Sequence, residues 1–84
     1  MEFIVYILFS ETKNRYYIGY TSNLEERIIR HNQKSKGFTG FVNDWKVAYI
    51  EKYETKELAR QRELQIKSWK SSVKIKELIS KKAR

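Results

Sequence analysis

Cysteine and proline are absent from the 84-residue chain, and histidine occurs once. Without cysteine there is neither a disulfide framework nor a thiolate zinc site, and one histidine excludes a histidine-rich metal cage. The lack of thiols is compatible with a reducing cytoplasm, the expected location. With no proline and three glycines, chain punctuation falls to Gly, Asn, Ser and Thr. Long apolar runs are missing too. Phe3 to Phe9 is an unbroken apolar and aromatic stretch, but a bilayer span needs about 20 residues. It follows Met1-Glu2 with no basic stretch, so neither a membrane partner nor a signal peptide is expected. No repeat, linker or low-complexity segment divides the sequence, and residues 1–84 are read as one domain. Its core is marginal, because a chain of this size sits just above the roughly 70–80 residues below which staples are usual.

Positive charge is abundant. Lys and Arg number 18 against 10 Asp and Glu, a formal net charge of +8. Residues 67–84 hold a net +6 of this, and the first 66 only +2. An excess of this kind attracts polyanions through counterion release. A solvated, lysine-rich terminal helix accounts for the same composition equally well.

Hydrophobic patterning gives the order ββαβαα. Phe3–Phe9 reads as a central strand covered on both faces, since its apolar residues are continuous rather than alternating. A polar loop over Ser10–Asn14 is short enough to join it to an antiparallel second strand at Arg15–Tyr20. A Gly-marked turn and Ser22, spaced from Glu25 as in a capping box, then start a helix running to about Gln33. The loop from Lys34 to Asp44 interleaves Gly37 and Gly40 with Phe38 and Phe41, rings that either stack on bases or fold back onto the core. A third strand is expected over Trp45–Tyr53, with Trp45, Val47 and Tyr49 on one face. Thr55 is a plausible N-cap of the second helix, whose inward stripe is Leu58, Ala59, Arg62, Ile66 and Trp69. Ser71-Ser72 breaks that helix and caps a basic third one over about 72–82. The fold class is α+β, a small sheet flanked by helices.

Five residues are candidates for chemistry. Tyr6 and Tyr17 lie on neighbouring strands, where they either share a proton or ligand or serve as ordinary sheet aromatics. Arg27 and His31 are one helical turn apart, on the same stripe as Leu24 and Ile28. They can converge on an anion, which the guanidinium fork suits; alternatively Arg27 snorkels and His31 bonds to backbone. Glu63, at the margin of the inward stripe, either holds a hard divalent cation or pairs with Arg60, Arg62 or Lys67.

The ordered set Val5-Tyr6-Ile7, Tyr17-Ile18-Gly19, the run TSNLEER at 21–27, His31 and the run ARQRELQIKSW at 59–69 resembles the GIY-YIG nuclease superfamily, in its small stand-alone bacterial form. The resemblance runs from about Phe3 to Ile79. It implies a three-stranded antiparallel sheet flanked by helices and metal-dependent phosphodiester hydrolysis. Tyr6 and Tyr17 would be the tyrosines of the two motifs, one of them activating water. Arg27 would stabilise the phosphate, His31 would assist proton transfer, and Glu63 would be the single carboxylate for magnesium, with manganese as a substitute. The chain departs from the family pattern in three places. Its first motif reads Val-Tyr-Ile, Tyr20 stands where some members have lysine, and no asparagine follows Glu63. Larger members carry separate targeting domains, so weak intrinsic sequence specificity or a targeting protein partner is expected. Lys67, Lys70, Lys74 and Lys76 are the candidate contacts to a nucleic acid, DNA first. The alternative from a different class is a non-catalytic nucleic-acid-binding module of the same fold.

Overall fold

A computed structural model describes residues 2–34 and 44–82. The elements are β1 (Phe3–Ser10), β2 (Arg15–Thr21), α1 (Leu24–Lys34), β3 (Lys46–Tyr53), α2 (Lys56–Trp69) and α3 (Ser72–Lys82). The three strands form one antiparallel sheet in the order β2-β1-β3. The expected α+β architecture and the ββαβαα order are therefore present. The aromatic loop with Phe38 and Phe41 lies outside the described residues. No helix among those described is long and apolar enough to cross a membrane.

β1 is central because its continuous apolar run suits a strand with both faces covered. Val5, Tyr6, Ile7 and Leu8 are all buried. Alternation sends Val5 and Ile7 to one face, where they meet Ile18, Tyr49, Ala59, Ile66 and Ile75. This is the core, and α2 and α3 close it. Tyr6 and Leu8 go to the opposite face, paired across β2 with Gly19 and Tyr17. The β1–β2 hairpin turns at Asn14, which takes a left-handed φ of 54°, a conformation asparagine tolerates better than most residues.

Four expectations are corrected. Gly19 does not make a turn: it lies inside β2, which continues to Thr21. The α1 cap is Asn23 rather than Ser22. Its Oδ1 accepts from the Glu26 amide at 3.2 Å, while Thr21 Oγ1 accepts from the Asn23 amide at 3.1 Å. The local Thr-x-Asn turn places Asn23, one residue later, at the orphan donors. In β3 the register with β1 slips between Ile7 and Leu8, which pair with Tyr49 and Val47 and leave Ala48 extra. This bulge breaks period-two alternation, so Tyr49 faces the core whereas Val47 and Trp45 do not share its face. Leu58 is not inward: it is 48% exposed, because the α2 stripe that meets the sheet passes through Ala59 and Ile66. The Thr55 cap is present, its side chain accepting from the Leu58 amide at 3.2 Å, and Ser71 Oγ accepts from the Lys74 amide at 3.3 Å to start α3.

Candidate active site

Tyr6, Tyr17, Arg27 and Glu63 come from four different elements and line one open cleft of about 460 Å³. Tyr6 is 2% exposed, and its side chain crosses over the backbone of Gly19. A Cβ built on Gly19 would lie 2.6 Å from the Tyr6 hydroxyl oxygen and 2.8 Å from Cζ. Only glycine lets this ring reach the cleft. Tyr17 lies beside it, with ring centroids 6.3 Å apart, and is 40% exposed. One tyrosine is therefore sealed and the other open.

Electrostatics act on Tyr6 as well. Burial pushes the Tyr6 hydroxyl up to about 12, Tyr17 and Glu63 act in the same direction, and Arg27 opposes them. Arg27 and Glu63 both act electrostatically on Tyr6 although they belong to α1 and α2. A Tyr6 hydroxyl held this high keeps its proton at neutral pH and is a hydrogen-bond donor.

His31 is not among the residues that line the cleft. It packs against Tyr17, ring centroids 4.4 Å apart and planes tilted by 49°, and meets Trp45 edge-on at 4.8 Å. Trp45 is held there by its amide, which donates to Asn32 Oδ1 at 3.0 Å. His31 thus reaches the cleft through Tyr17. Neither Trp45 nor Lys56, the first residue of α2 and a lining residue of the cleft, stood out in the sequence. Lys56 left one faint signal. A cation in the first turn of a helix opposes the macrodipole, so a site for it elsewhere is worth seeking.

Glu63 is the single carboxylate that lines the cleft among the described residues, and its side chain is 13% exposed. One oxygen pairs with Lys67, Nζ to Oε2 at 3.1 Å, so the bland expectation of an ion pair also holds. No group of three or more His, Cys, Asp or Glu gathers among the described residues, which excludes an all-protein metal cage there. One carboxylate in a polar cleft with room for water does suit magnesium, which binds through one or two carboxylates and retains much of its hydration. The residues fit the implied ion.

The four lysines expected to contact nucleic acid divide between two places. Lys67 and Lys70 line a groove of about 300 Å³ beside the β1–β2 hairpin. Lys74 and Lys76 line a different one, floored by Trp69, Val73 and Leu78.

Residues 2–76 match the model of the GIY-YIG catalytic domain. The chain belongs to the GIY-YIG family. A UPF0213 protein of Staphylococcus saprophyticus is 36% identical over 61 residues, 71% of this chain and 74% of that protein. The solution NMR structure of a UPF0213 protein from Bacillus halodurans is 28% identical and superposes with a TM-score of 0.61, covering 95% of this chain and 84% of that one. GIY-YIG membership gives the domain a nuclease ancestry and a nucleic-acid substrate class.

Proposed function

We propose that the chain is a magnesium-dependent nuclease that hydrolyses phosphodiester bonds in DNA, at structured or damaged sites, with little sequence preference of its own. The observation that carries this reading is the convergence of Tyr6, Tyr17, Arg27 and Glu63 on one polar cleft. Arg27 presents a guanidinium fork to the phosphate oxygens and stabilises the charge that grows on them in the transition state. Tyr6, sealed against Gly19 with its hydroxyl pushed up to about 12, donates a hydrogen bond. Tyr17, the exposed tyrosine, orients and deprotonates the attacking water. His31, packed against its ring, orients Tyr17 and assists the proton's departure. Glu63 would hold magnesium, or manganese in its place, which supplies further charge stabilisation on the phosphoryl group and a more acidic bound water. A cytoplasmic location and a targeting protein partner belong to the same proposal.

The test is cleavage of labelled linear, nicked, branched and single-stranded DNA and RNA with Mg²⁺, Mn²⁺ or EDTA. Wild type and Glu63→Ala would come from identical purifications. Metal-dependent cutting that Glu63→Ala abolishes supports the nuclease, and equal cutting by both points to a contaminant. The second reading, a binding module without turnover, is favoured by the Glu63–Lys67 ion pair, which already neutralises the one carboxylate that lines the cleft among the described residues. Binding without cutting by either protein selects it.

A further inference from the structure

The groove that receives Lys67 and Lys70 also receives Arg15, the first residue of β2. Three cations therefore converge on one depression between the β1–β2 hairpin and the α2–α3 junction, although Arg15 and Lys70 are 55 positions apart in the chain. No acidic residue lines the groove among the described residues, and neither Arg15 nor Lys70 forms an ion pair there. Both this groove and the companion along α3 have an apolar floor, but the companion carries Glu77 among its lysines.

Lys70 is the more telling of the two. It ends α2 in the left-handed conformation, φ 49° and ψ 35°. Glycine is the residue that adopts this conformation without a Cβ penalty, and asparagine comes next. A lysine here is a departure from the local rule, and such departures cluster where a side chain serves function. Ser71, the next residue, caps α3, so the turn itself does not require lysine.

The groove and the candidate active site share no lining residue, but an ion pair on α2 links them past the edge of β2. Lys67 lines the groove and pairs with Glu63, which lines the cleft. Both depressions border edge strand β2, from its two faces: Tyr16 and Ile18 line the groove on the core side, with Arg15 at the strand's start, while Tyr17 and Gly19 line the cleft on the other. From Arg15 to Gly19 the strand advances about 13 Å, at ~3.3 Å per residue. That is roughly four steps of one duplex strand at ~3.4 Å of axial rise each.

We infer that this groove is a track for the sugar–phosphate backbone of nucleic acid, leading to the cleft and carried by Arg15, Lys67 and Lys70 rather than by the α3 lysines. The inference rests on the proposed nuclease reading and names its substrate-binding surface. A cation bound at Glu63 would release Lys67 toward the track, so metal and nucleic acid would bind with mutual support.

The experiment is fluorescence anisotropy of a labelled DNA duplex against the 84-residue protein in EDTA, titrated between about 50 and 200 mM salt, where the slope of log K against log salt changes by about 0.9 per phosphate contact. The variants are Arg15→Gln, Lys70→Gly and their combination. Lys74→Gln/Lys76→Gln is the competing arm, and Lys46→Gln/Lys52→Gln on the far edge strand is the charge-matched control. Each groove substitution is expected to reduce the salt slope by about 0.9, the double by about twice that, while the control keeps the wild-type slope. Lys70→Gly should melt at or above the wild-type temperature, because glycine relieves the left-handed strain; weaker binding by a protein of equal or greater stability cannot be a folding defect. A wild-type slope in the Arg15/Lys70 double, or slope loss confined to Lys74/Lys76, overturns the track. If wild type cuts DNA under Mg²⁺ in either of those cases, the track alone falls. If wild type neither binds nor cuts, the nuclease reading falls with it.

Discussion

A methyl group at Gly19 would meet the Tyr6 hydroxyl at 2.6 Å, well inside van der Waals contact, and Tyr6 is too buried to swing away. Gly19→Ala should therefore destabilise the fold by about 1–3 kcal/mol, the usual range for overpacking, and reduce cleavage by displacing Tyr6. Removing the hydroxyl relieves the nearer of the two clashes, so Gly19→Ala/Tyr6→Phe should lose less stability than the two single changes sum to. Denaturant melts of the four proteins measure that coupling, and strict additivity would show that the two residues do not meet. Glu63 invites a second test. Lys67 holds one of its oxygens at 3.1 Å but is itself 47% exposed, so solvent screens the pair and its worth is about 0.3–1 kcal/mol. Lys67→Met should tighten Mn²⁺ binding about two- to five-fold, as read by calorimetry. Weaker binding in the variant would mean that Lys67 supports the ion instead of competing with it.

Two carboxylates tie elements together, and both do so from outside the cleft. Asp44, ahead of β3, accepts from Ser10 Oγ at 2.7 Å and from the Thr12 amide at 3.0 Å, latching the β1–β2 hairpin. These hydrogen bonds, Ser10 first, hold its carboxyl below the ordinary value of 3.8. Glu51 on β3 is pushed up by burial, but Arg62, Tyr49 and Tyr53 outweigh that and hold it below 4.5. Arg62 clasps it from α2 with Nε and Nη2 at 2.9 and 3.1 Å. A folded-state carboxyl below its unfolded value stabilises at neutral pH, and that stability is lost as pH falls through the folded value. Urea midpoints should therefore drop from pH 5 toward pH 3, and Asp44→Asn should flatten part of that drop while lowering the neutral-pH midpoint. An unchanged acid limb in Asp44→Asn would assign the drop elsewhere, with Glu51→Gln as the next candidate. Element order was legible in the sequence because each strand or helix carries its own periodicity and caps, as Thr55 and Ser71 show. The β3 faces were not: a bulge at Ala48 is decided by pairing with β1 and leaves no mark in a local pattern. Nor was the Asp44 latch, since Ser10 lies 34 residues away.

At the scale of the molecule, what could be read depended on how far apart the partners lie in sequence. The two tyrosines and Arg27 fall within 22 residues, and their motif order was visible; that Glu63 joins them came from family resemblance and not from spacing. The Arg15–Lys70 groove brings together opposite ends of the chain and had no sequence signature beyond net charge. What holds those ends together is a small core in which α2 supplies Ala59 and Ile66, both fully buried. A folded chain of 84 residues has roughly 4–13 kcal/mol of stability to lose. Ile66→Ala should remove about 2–5 kcal/mol of it and Ile66→Val about 0.5–1.5. Leu64, two residues earlier but 52% exposed, should cost less than about 0.5 kcal/mol when cut to alanine, as surface positions usually do. Urea titration of the three variants checks the ranking. Glu63 and Lys70 flank Ile66 on the same helix and its C-terminal turn, so a loosened Ile66→Ala protein should also lose DNA affinity as it approaches its unfolding transition, whereas Leu64→Ala should not. Equal losses in Ile66→Ala and Leu64→Ala would mean that α2 does not seat on the sheet through the Ala59–Ile66 stripe, and the geometry of both cleft and groove would have to be rebuilt.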